Sequence, residues 1–209
     1  MGHFNELIFV DIETTSQVKE KTEYSEPQLN FLNKRFPDGF SVFDGALYPE
    51  TGKIVCAVFY KDNVATKIYN KDERVILLEI QSYLSKYDKS SERLVAHNGL
   101  AFDYPYISKR LLFNRFKIPR ILSTVGLKPW ENRLLDTVQI FKMGSQYNMS
   151  LEILADSLGL PTPKDDIKGA EVPKLFWDDF DASIDRIVEY CRKDTETISE
   201  AVREYFRFL

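Results

Sequence analysis

The stretch LIFVDIETT places two carboxylates, Asp11 and Glu13, directly after four large apolar residues. Because side chains alternate along a strand, both acids point to the face that also carries Leu7 and Phe9. Two like charges so close together raise each other's pKa unless a cation lies between them. The pair therefore indicates a cation site, although a solvated strand end is the common alternative for an Asp-x-Glu pair.

A third acid lies on the apolar stripe of the last predicted helix, in IDRIVEYCRKDTETISEAV. The stripe consists of Ile184, Ile187, Cys191, Ile198, Val202 and Tyr205. Asp194 falls on it, and a carboxylate that faces a core is costly unless it is paired or binds a metal. The position favours a functional role, with an ion pair to Lys or Arg as the alternative. Tyr190 precedes Asp194 by one helical turn, so its hydroxyl can lie beside the carboxylate.

A fourth acid, Asp103, follows a turn in the stretch HNGLAFDYPYI. Asn98-Gly99 is a turn that leaves a strand, and Asp103 comes four residues after the glycine, among aromatic side chains. The alternative role for Asp103 is to cap the following helix, where an acid is favourable. His97 is interpreted as a structural histidine at the strand end and is left out of the site.

Together the four acids predict metal-dependent chemistry on a phosphodiester. Mg²⁺ prefers carboxylate oxygens and water as ligands. Two such ions about 4 Å apart activate a water and stabilise the leaving oxygen of a phosphodiester. This chemistry needs several negative ligands that are held rigidly, which strand and helix positions provide.

Three motifs resemble, in order, the exonuclease motifs of the DEDD superfamily: Asp11-Ile-Glu13-Thr14, Asn98-Gly99-x-x-Phe102-Asp103 and Tyr190-x-x-x-Asp194. The tyrosine is typical of its Tyr-containing subgroup. FDYPYI is similar to the proofreading exonuclease domain of family-B DNA polymerases, and the best match is the group of stand-alone 3′–5′ exonucleases related to that domain. Further similarity lies in LLDT at 134–137, SLEILADSLGL at 150–160 and KDDI at 164–167.

The resemblance implies a ribonuclease H-like fold and hydrolysis with two metal ions, Mg²⁺ or Mn²⁺. It implies that Asp11 bridges both metals, that Glu13 and Asp194 complete one site, and that Asp103 holds the second ion, partly through water. It also implies that Tyr190 orients the attacking water and that a 5′-nucleotide is released. A tyrosine of ordinary pKa, about 10, is a poor base at neutral pH, so the metal is expected to cause the deprotonation.

Three further residues are assigned to the substrate. Thr14 is expected to contact the terminal nucleotide through its backbone or hydroxyl, and Asn98 to line the site. Phe102 is a candidate to stack on a base or sugar, with a buried core aromatic as the alternative. Lys164-Asp165-Asp166 is a candidate for the substrate rim or an exposed turn.

The favoured substrate is single-stranded DNA, and the alternative is RNA, since no residue can be assigned to reading the 2′-hydroxyl. A catalytically silent nucleic-acid-binding module is a poorer fit, because such a module has no reason to keep all four acids pointing inward. Protein partners are not predicted.

The distribution of charge in the sequence limits where nucleic acid could bind. The net charge of −4 does not favour nucleic-acid binding by the whole surface. Between Tyr104 and Leu135, however, a single acid, Glu131, accompanies seven basic residues: Lys109, Arg110, Arg115, Lys117, Arg120, Lys128 and Arg133. This stretch predicts a phosphate-facing surface, with a solvated helix face as the alternative.

The chain is expected to be a cytoplasmic protein without membrane spans. Its apolar runs are too short to cross a bilayer, and MGHFNEL is not a secretory signal. Cys56 and Cys191 lack metal-type spacing and are typical of reduced core residues.

The length of 209 residues suits one domain, 1–209, with an insertion of unknown role at 14–42 that carries one short helix. Periodicity predicts an α/β fold with a mixed sheet covered by helices. The predicted strands are 6–13, 53–60, 64–69, 93–97 and 134–135. The predicted helices are 72–87, 104–113, 150–158 and 182–208, and 161–172 is predicted to be a loop.

Overall fold

The computed structural model describes residues 4–161 and 167–209. Within these ranges a mixed sheet of five strands has the order β3-β2-β1-β4-β5. The strands are β1 (Leu7–Ser16), β2 (Gly52–Lys61), β3 (Val64–Tyr69), β4 (Arg93–Ala96) and β5 (Leu134–Asp136). β1, β2 and β3 pair antiparallel, whereas β4 runs parallel to both β1 and β5. The predicted α/β fold with a mixed sheet is confirmed.

Helices flank this sheet. They are α1 (Glu26–Arg35), α2 (Glu73–Ser85), α3 (Asp103–Phe113), α4 (Thr137–Lys142), α5 (Leu151–Ser157), α6 (Val172–Asp178) and α7 (Phe180–Arg207). Short 3-10 helices lie at Phe4–Glu6, Lys21–Glu23, Val42–Leu47, Arg120–Leu122, Pro129–Glu131 and Gly169–Glu171. The four predicted helices correspond to α2, α3, α5 and α7. The insertion helix is α1, and α4 and α6, with six and seven residues, are too short to show a periodic stripe.

The central strand β1 is buried on both faces, as its apolar sequence predicts. Ile8, Val10 and Ile12 pack in one cluster with α2 and α3. On the other face, Leu7 and Phe9 pack against Ile198 and Val202 of α7. The acids that continue this second face are therefore directed towards α7.

β1 continues three residues beyond its predicted end at Glu13, so Thr14–Ser16 belong to the sheet and not to the insertion. A β-bulge between Glu13 and Thr14 shifts the register against β2. The polar residues after the bulge are buried because their hydroxyls find main-chain partners: Thr14 donates to Ala46 at 3.0 Å and Ser16 to Val18 at 2.7 Å. Ala46 lies 32 residues after Thr14, so this partner leaves no signal in the local sequence.

Arg110 does not belong to a phosphate-facing surface, which corrects part of the prediction for 104–135. Its Nε donates to Glu73 at 2.8 Å, a second guanidinium nitrogen pairs with the same carboxylate, and Nη1 donates to Pro49 at 2.9 Å. Glu73 also accepts the N–H of Ile54 at 2.9 Å. Both side chains are buried, so this ion pair joins α2, α3 and β2 inside the protein.

Glu73→Gln is expected to lower the free energy of unfolding by about 3–5 kcal/mol, because it leaves the Arg110 charge buried without a counter-ion. Urea denaturation measures the change. Glu50→Gln is the matched control, since it breaks the more exposed Lys109–Glu50 pair and is expected to cost less than about 1 kcal/mol. Equal losses in the two variants would contradict the structural role of the Glu73–Arg110 pair.

Candidate active site

Asp11, Glu13 and Asp194 converge between β1 and α7. One carboxylate oxygen from each lies within 4.8 Å of the others. Glu13 is only 9% exposed, and Asp11 and Asp194 are half-buried. The Cys191 thiol donates to the main-chain carbonyl of Asp11 at 3.3 Å, which ties α7 to β1 beside the acids. Strand alternation and the helical stripe thus bring the neighbouring acids Asp11 and Glu13 together with Asp194, which lies far away in sequence.

Asp103 is the first residue of α3 and is 3% exposed. The helix N-cap is Phe102, so the alternative in which Asp103 caps α3 is wrong. Asp103 faces the same cavity as the other three acids.

Two carboxylate oxygens of this cluster are buried without a hydrogen-bond partner in the described part of the chain: Asp11 Oδ2 and Asp103 Oδ1. Buried polar atoms of this kind are rare in folded proteins because desolvating them without compensation costs free energy. Carboxylate oxygens are the ligands that Mg²⁺ and Ca²⁺ prefer. The residues therefore fit a divalent metal, which would supply the missing partner.

The acids hold protons more tightly than free carboxyls. Burial raises the pKa of Asp11 well above its usual range, and the charges of Asp103, Glu13 and Asp194 raise it further. The pKa of Glu13 is raised by burial and then by Cys56 and Asp194. Burial raises the pKa of Asp103 to about 7, against the opposing effect of main-chain N–H groups. Without a metal, the cluster is therefore partly protonated near neutral pH.

Tyr190 lines the same cavity, one turn before Asp194. Its pKa is raised above its usual value, first by burial and then by the negative charge of Asp194. The hydroxyl therefore remains protonated at neutral pH. It can donate a hydrogen bond in the site but cannot act as a base there.

The cavity has a volume of about 440 Å³. All eight predicted site residues line it: Asp11, Glu13, Thr14, Asn98, Phe102, Asp103, Tyr190 and Asp194. The 3-10 helix Val42–Leu47 contributes Phe43, Asp44 and Leu47 to the wall. These three residues were not predicted, because their segment has no chemical motif and reaches the site only through the fold.

The candidate substrate residues differ in how much of each side chain is available to contact a ligand. The Thr14 hydroxyl donates to Ala46, so only its lone pairs remain for a ligand. Asn98 is exposed and has a positive φ of 63°. Phe102 is half-buried, with its ring centroid 5.3 Å from that of Tyr106, so it both packs on the core and faces the cavity. Their substrate roles remain predictions.

Asp136 was not predicted as a site residue, yet it shapes the turn that leads to Asp103. Its buried carboxylate accepts the N–H groups of Asn98 at 2.9 Å, Leu100 at 3.1 Å and Val138 at 2.9 Å. The feature of the sequence that could have indicated this role is the position of Asp136 at the end of β5, within LLDT. The turn also needs Gly99, since a Cβ there would lie 2.5 Å from that of Ala96.

His97 has the structural role that the sequence suggested, although it borders the cavity. Its Nδ1 lies 2.8 Å from the Thr137 hydroxyl and its Nε2 lies 2.9 Å from the carbonyl of Met149. Both ring nitrogens are therefore engaged, and burial lowers its pKa. Lys164, Asp165 and Asp166, the candidate rim residues, lie outside the described residues.

Comparison with known proteins places the chain in a family. The model of the RNase H superfamily matches residues 46–204. The chain belongs to the RNase H superfamily. No helix in the described ranges of this RNase H superfamily protein has the length and apolar character that a membrane span requires.

The chain is also similar to two individual proteins. An uncharacterized protein of Methanocaldococcus jannaschii is 26% identical over 148 residues, which are 64% of this chain and 79% of that protein. The structure of the family B DNA polymerase from Pyrobaculum calidifontis matches 95% of this chain with a TM-score of 0.61 and 16% identity. The match covers 24% of the polymerase chain, and at this identity it supports the RNase H-like fold alone.

Proposed function

We propose that this RNase H superfamily protein is a metal-dependent 3′–5′ exonuclease that releases 5′-nucleotides from single-stranded DNA. Membership in a nuclease superfamily supports hydrolysis of nucleic acid. The observation that carries the proposal is the pair of buried, unpartnered oxygens on Asp11 and Asp103, beside Glu13 and Asp194. The 3′–5′ direction of hydrolysis and the preference for single-stranded DNA rest on the resemblance of the three motifs to those of DEDD exonucleases. Cytoplasmic location and a single domain also remain predictions.

Two Mg²⁺ or Mn²⁺ ions would be held by Asp11, Glu13, Asp103 and Asp194. When bound, such ions stabilise negative charge on a phosphodiester and lower the pKa of water. Asp11 would be a principal ligand, because one of its carboxylate oxygens lies within 4.8 Å of one from Glu13 and one from Asp194 and its Oδ2 is buried without a partner. The rigid β1 and α7 backbones hold these carboxylates in place before substrate arrives.

Tyr190 supplies a hydrogen-bond donor beside the acids, and its proton does not leave at neutral pH. We assign it to orienting the attacking water or a phosphate oxygen. Phe102 and the wall formed by Phe43 and Leu47 would enclose the terminal nucleotide and exclude bulk water from the reacting atoms.

Tyr190→Phe is expected to lower kcat by about 10- to 100-fold with a smaller change in KM. The loss corresponds to one hydrogen bond to a charged group. Tyr205→Phe is the matched control on α7, since Tyr205 packs against Phe141 outside the cavity. If Tyr190 were instead the base, its deprotonated form would be the active one, and the substitution would remove the rise of kcat with pH. That result would contradict the assigned role.

The activity is tested with 5′-labelled DNA and RNA oligomers that carry free or blocked 3′ ends, in Mg²⁺, Mn²⁺ or EDTA. Stepwise shortening of single-stranded DNA from the free 3′ end, in metal only, is the expected result. Activity on RNA alone would replace DNA by RNA as the substrate. No shortening of any substrate, or cleavage of circular DNA, would overturn the proposal.

A further inference from the structure

A second, smaller cleft adjoins the catalytic cavity. Its volume is about 200 Å³, and Leu47 and Phe102 line both spaces. Leu47 is 53% exposed and Phe102 is half-buried, so the two side chains form a ridge between the cavity and the cleft. A ligand bound at the four acids can therefore extend over this ridge.

Aromatic rings form the walls of the smaller cleft. Phe31 and Tyr48 lie with their ring centroids 5.2 Å apart at an interplanar angle of 86°, and Tyr106 also lines the cleft. The Arg35 guanidinium lies 5.3 Å from the Phe31 ring and 5.4 Å from the Tyr48 ring. Aromatic faces beside an arginine are a sequence-tolerant surface for an unpaired base.

The two spaces have opposite charge. The catalytic cavity is lined by five acids, Asp11, Glu13, Asp44, Asp103 and Asp194. None of its described lining residues is a lysine or arginine. The smaller cleft has two cations, Arg35 and Lys109, against one acid, Glu50, which pairs with Lys109 at 2.7 Å. An acidic space for metal ions next to a cationic space is suited to a polyanion that reaches across both.

We propose that the smaller cleft binds the nucleotide preceding the 3′-terminal one, with its base against Phe31 and Tyr48 and its phosphate near Arg35 and Lys109. The inference rests on the proposed function. In 3′–5′ hydrolysis the leaving 3′-oxygen belongs to the penultimate nucleotide, so that nucleotide must lie next to the acids. With the terminal nucleotide at the acids, the next nucleotide of the strand would reach the smaller cleft across the ridge of Leu47 and Phe102. The cleft, with a volume of about 200 Å³, has room for one unpaired base.

The proposal gives a role to the insertion, since α1 supplies both Phe31 and Arg35. α1 is fixed to the body of the protein: Leu32 is fully buried, and the Gln28 amide donates to the Glu50 carbonyl at 3.0 Å and to Gln17 at 3.1 Å. The helix therefore presents these two side chains from a defined position.

The test compares two substrates that differ in whether they reach the cleft. The p-nitrophenyl ester of thymidine 5′-monophosphate offers only a terminal nucleotide, whereas a single-stranded DNA ten-mer also offers a penultimate one. The measured quantity is the ratio of kcat/KM for the ten-mer to kcat/KM for the ester. We expect Arg35→Ala to lower this ratio about tenfold, mainly through KM for the ten-mer, and Arg35→Lys to restore part of it.

Phe31→Leu keeps apolar packing on α1 but removes the aromatic face, and it should lower the same ratio. Arg74→Ala is the charge-matched control, because Arg74 is an exposed arginine over Phe116, at 5.0 Å, that lines neither space. Wild-type ratios in both Arg35→Ala and Phe31→Leu would overturn the proposal. An equal fall in Arg74→Ala would also overturn it, since the effect would then be general electrostatic attraction.

Failure of the proposed function gives a different result, in which the wild-type protein hydrolyses neither substrate. Fluorescence anisotropy of a labelled ten-mer in EDTA then decides the binding role separately. A dissociation constant raised about tenfold in Arg35→Ala but not in Arg74→Ala supports the cleft, and equal constants in all three proteins contradict it.

Discussion

Asp11→Asn is expected to lower kcat/KM for exonuclease activity by about 10³-fold or more. Asp11 lies at the centre of the cluster, with a carboxylate oxygen within 4.8 Å of one from Glu13 and one from Asp194. Stabilisation of the reacting phosphodiester by bound metal amounts to several kcal/mol, and about 4 kcal/mol corresponds to a thousandfold in rate. Loss of the Asp11 carboxylate as a metal ligand should remove most of this stabilisation.

The loss should not come from unfolding. In EDTA, Asp11→Asn is expected to melt at a higher temperature than the wild type, because it removes a buried carboxyl whose ionised form is repelled by three neighbouring acids. Asp185→Asn is the matched control: it makes the same change of charge on an exposed position of α7. Nuclease rates in Asp11→Asn within tenfold of wild type would contradict the assigned role of the cluster.

The metal-free protein is expected to lose stability as the pH rises from about 4 to about 7. The folded-state pKa of Asp103 is raised to about 7 from its ordinary value near 4. Between these values the folded state binds a proton that the unfolded state has released, so the free energy of unfolding falls with rising pH. For a group as buried as Asp103, this shift corresponds to a change of at most about 4 kcal/mol.

Thermal unfolding in EDTA across this pH window measures the effect. Other groups also titrate in this window, so the wild type is compared with Asp103→Asn, whose stability should vary less with pH. Added Mg²⁺ or Mn²⁺ should raise the melting temperature more at pH 7.5 than at pH 5, because protons compete with the metal for the carboxylates. A stability that rises over this window equally in both proteins would exclude the raised pKa of Asp103.

The sequence predicted the part of the site that depends on local periodicity. Alternation along β1 places Asp11 and Glu13 on one face, and the stripe of α7 places Asp194 opposite them. These patterns indicated a cation between the acids, with a solvated strand end for Asp11 and Glu13 and an ion pair for Asp194 as the alternatives. Asp103 was located by its motif, but its role became distinct from helix capping only when Phe102 was found at the N-cap.

The parts that the sequence did not predict depend on contacts between distant segments. Arg110 was indistinguishable from a surface cation until its partner Glu73 was found on α2. Asp136 acquires its role from N–H groups about 40 residues away, at the Asn98 turn. The wall at 42–47 packs against β1, and the cleft beside α1 lies between α1 and α3, so both depend on contacts that no local pattern records.

A metal site at the four acids is tested by locating Mn²⁺ in crystals of the wild-type protein, by anomalous scattering at the manganese edge. Two manganese peaks are expected within the cluster, with Asp11, Glu13, Asp103 and Asp194 as their ligands. The same measurement on Asp11→Asn should show at least one peak lost. Crystals at saturating Mn²⁺ without a peak between these carboxylates would contradict the proposal that the four acids bind metal.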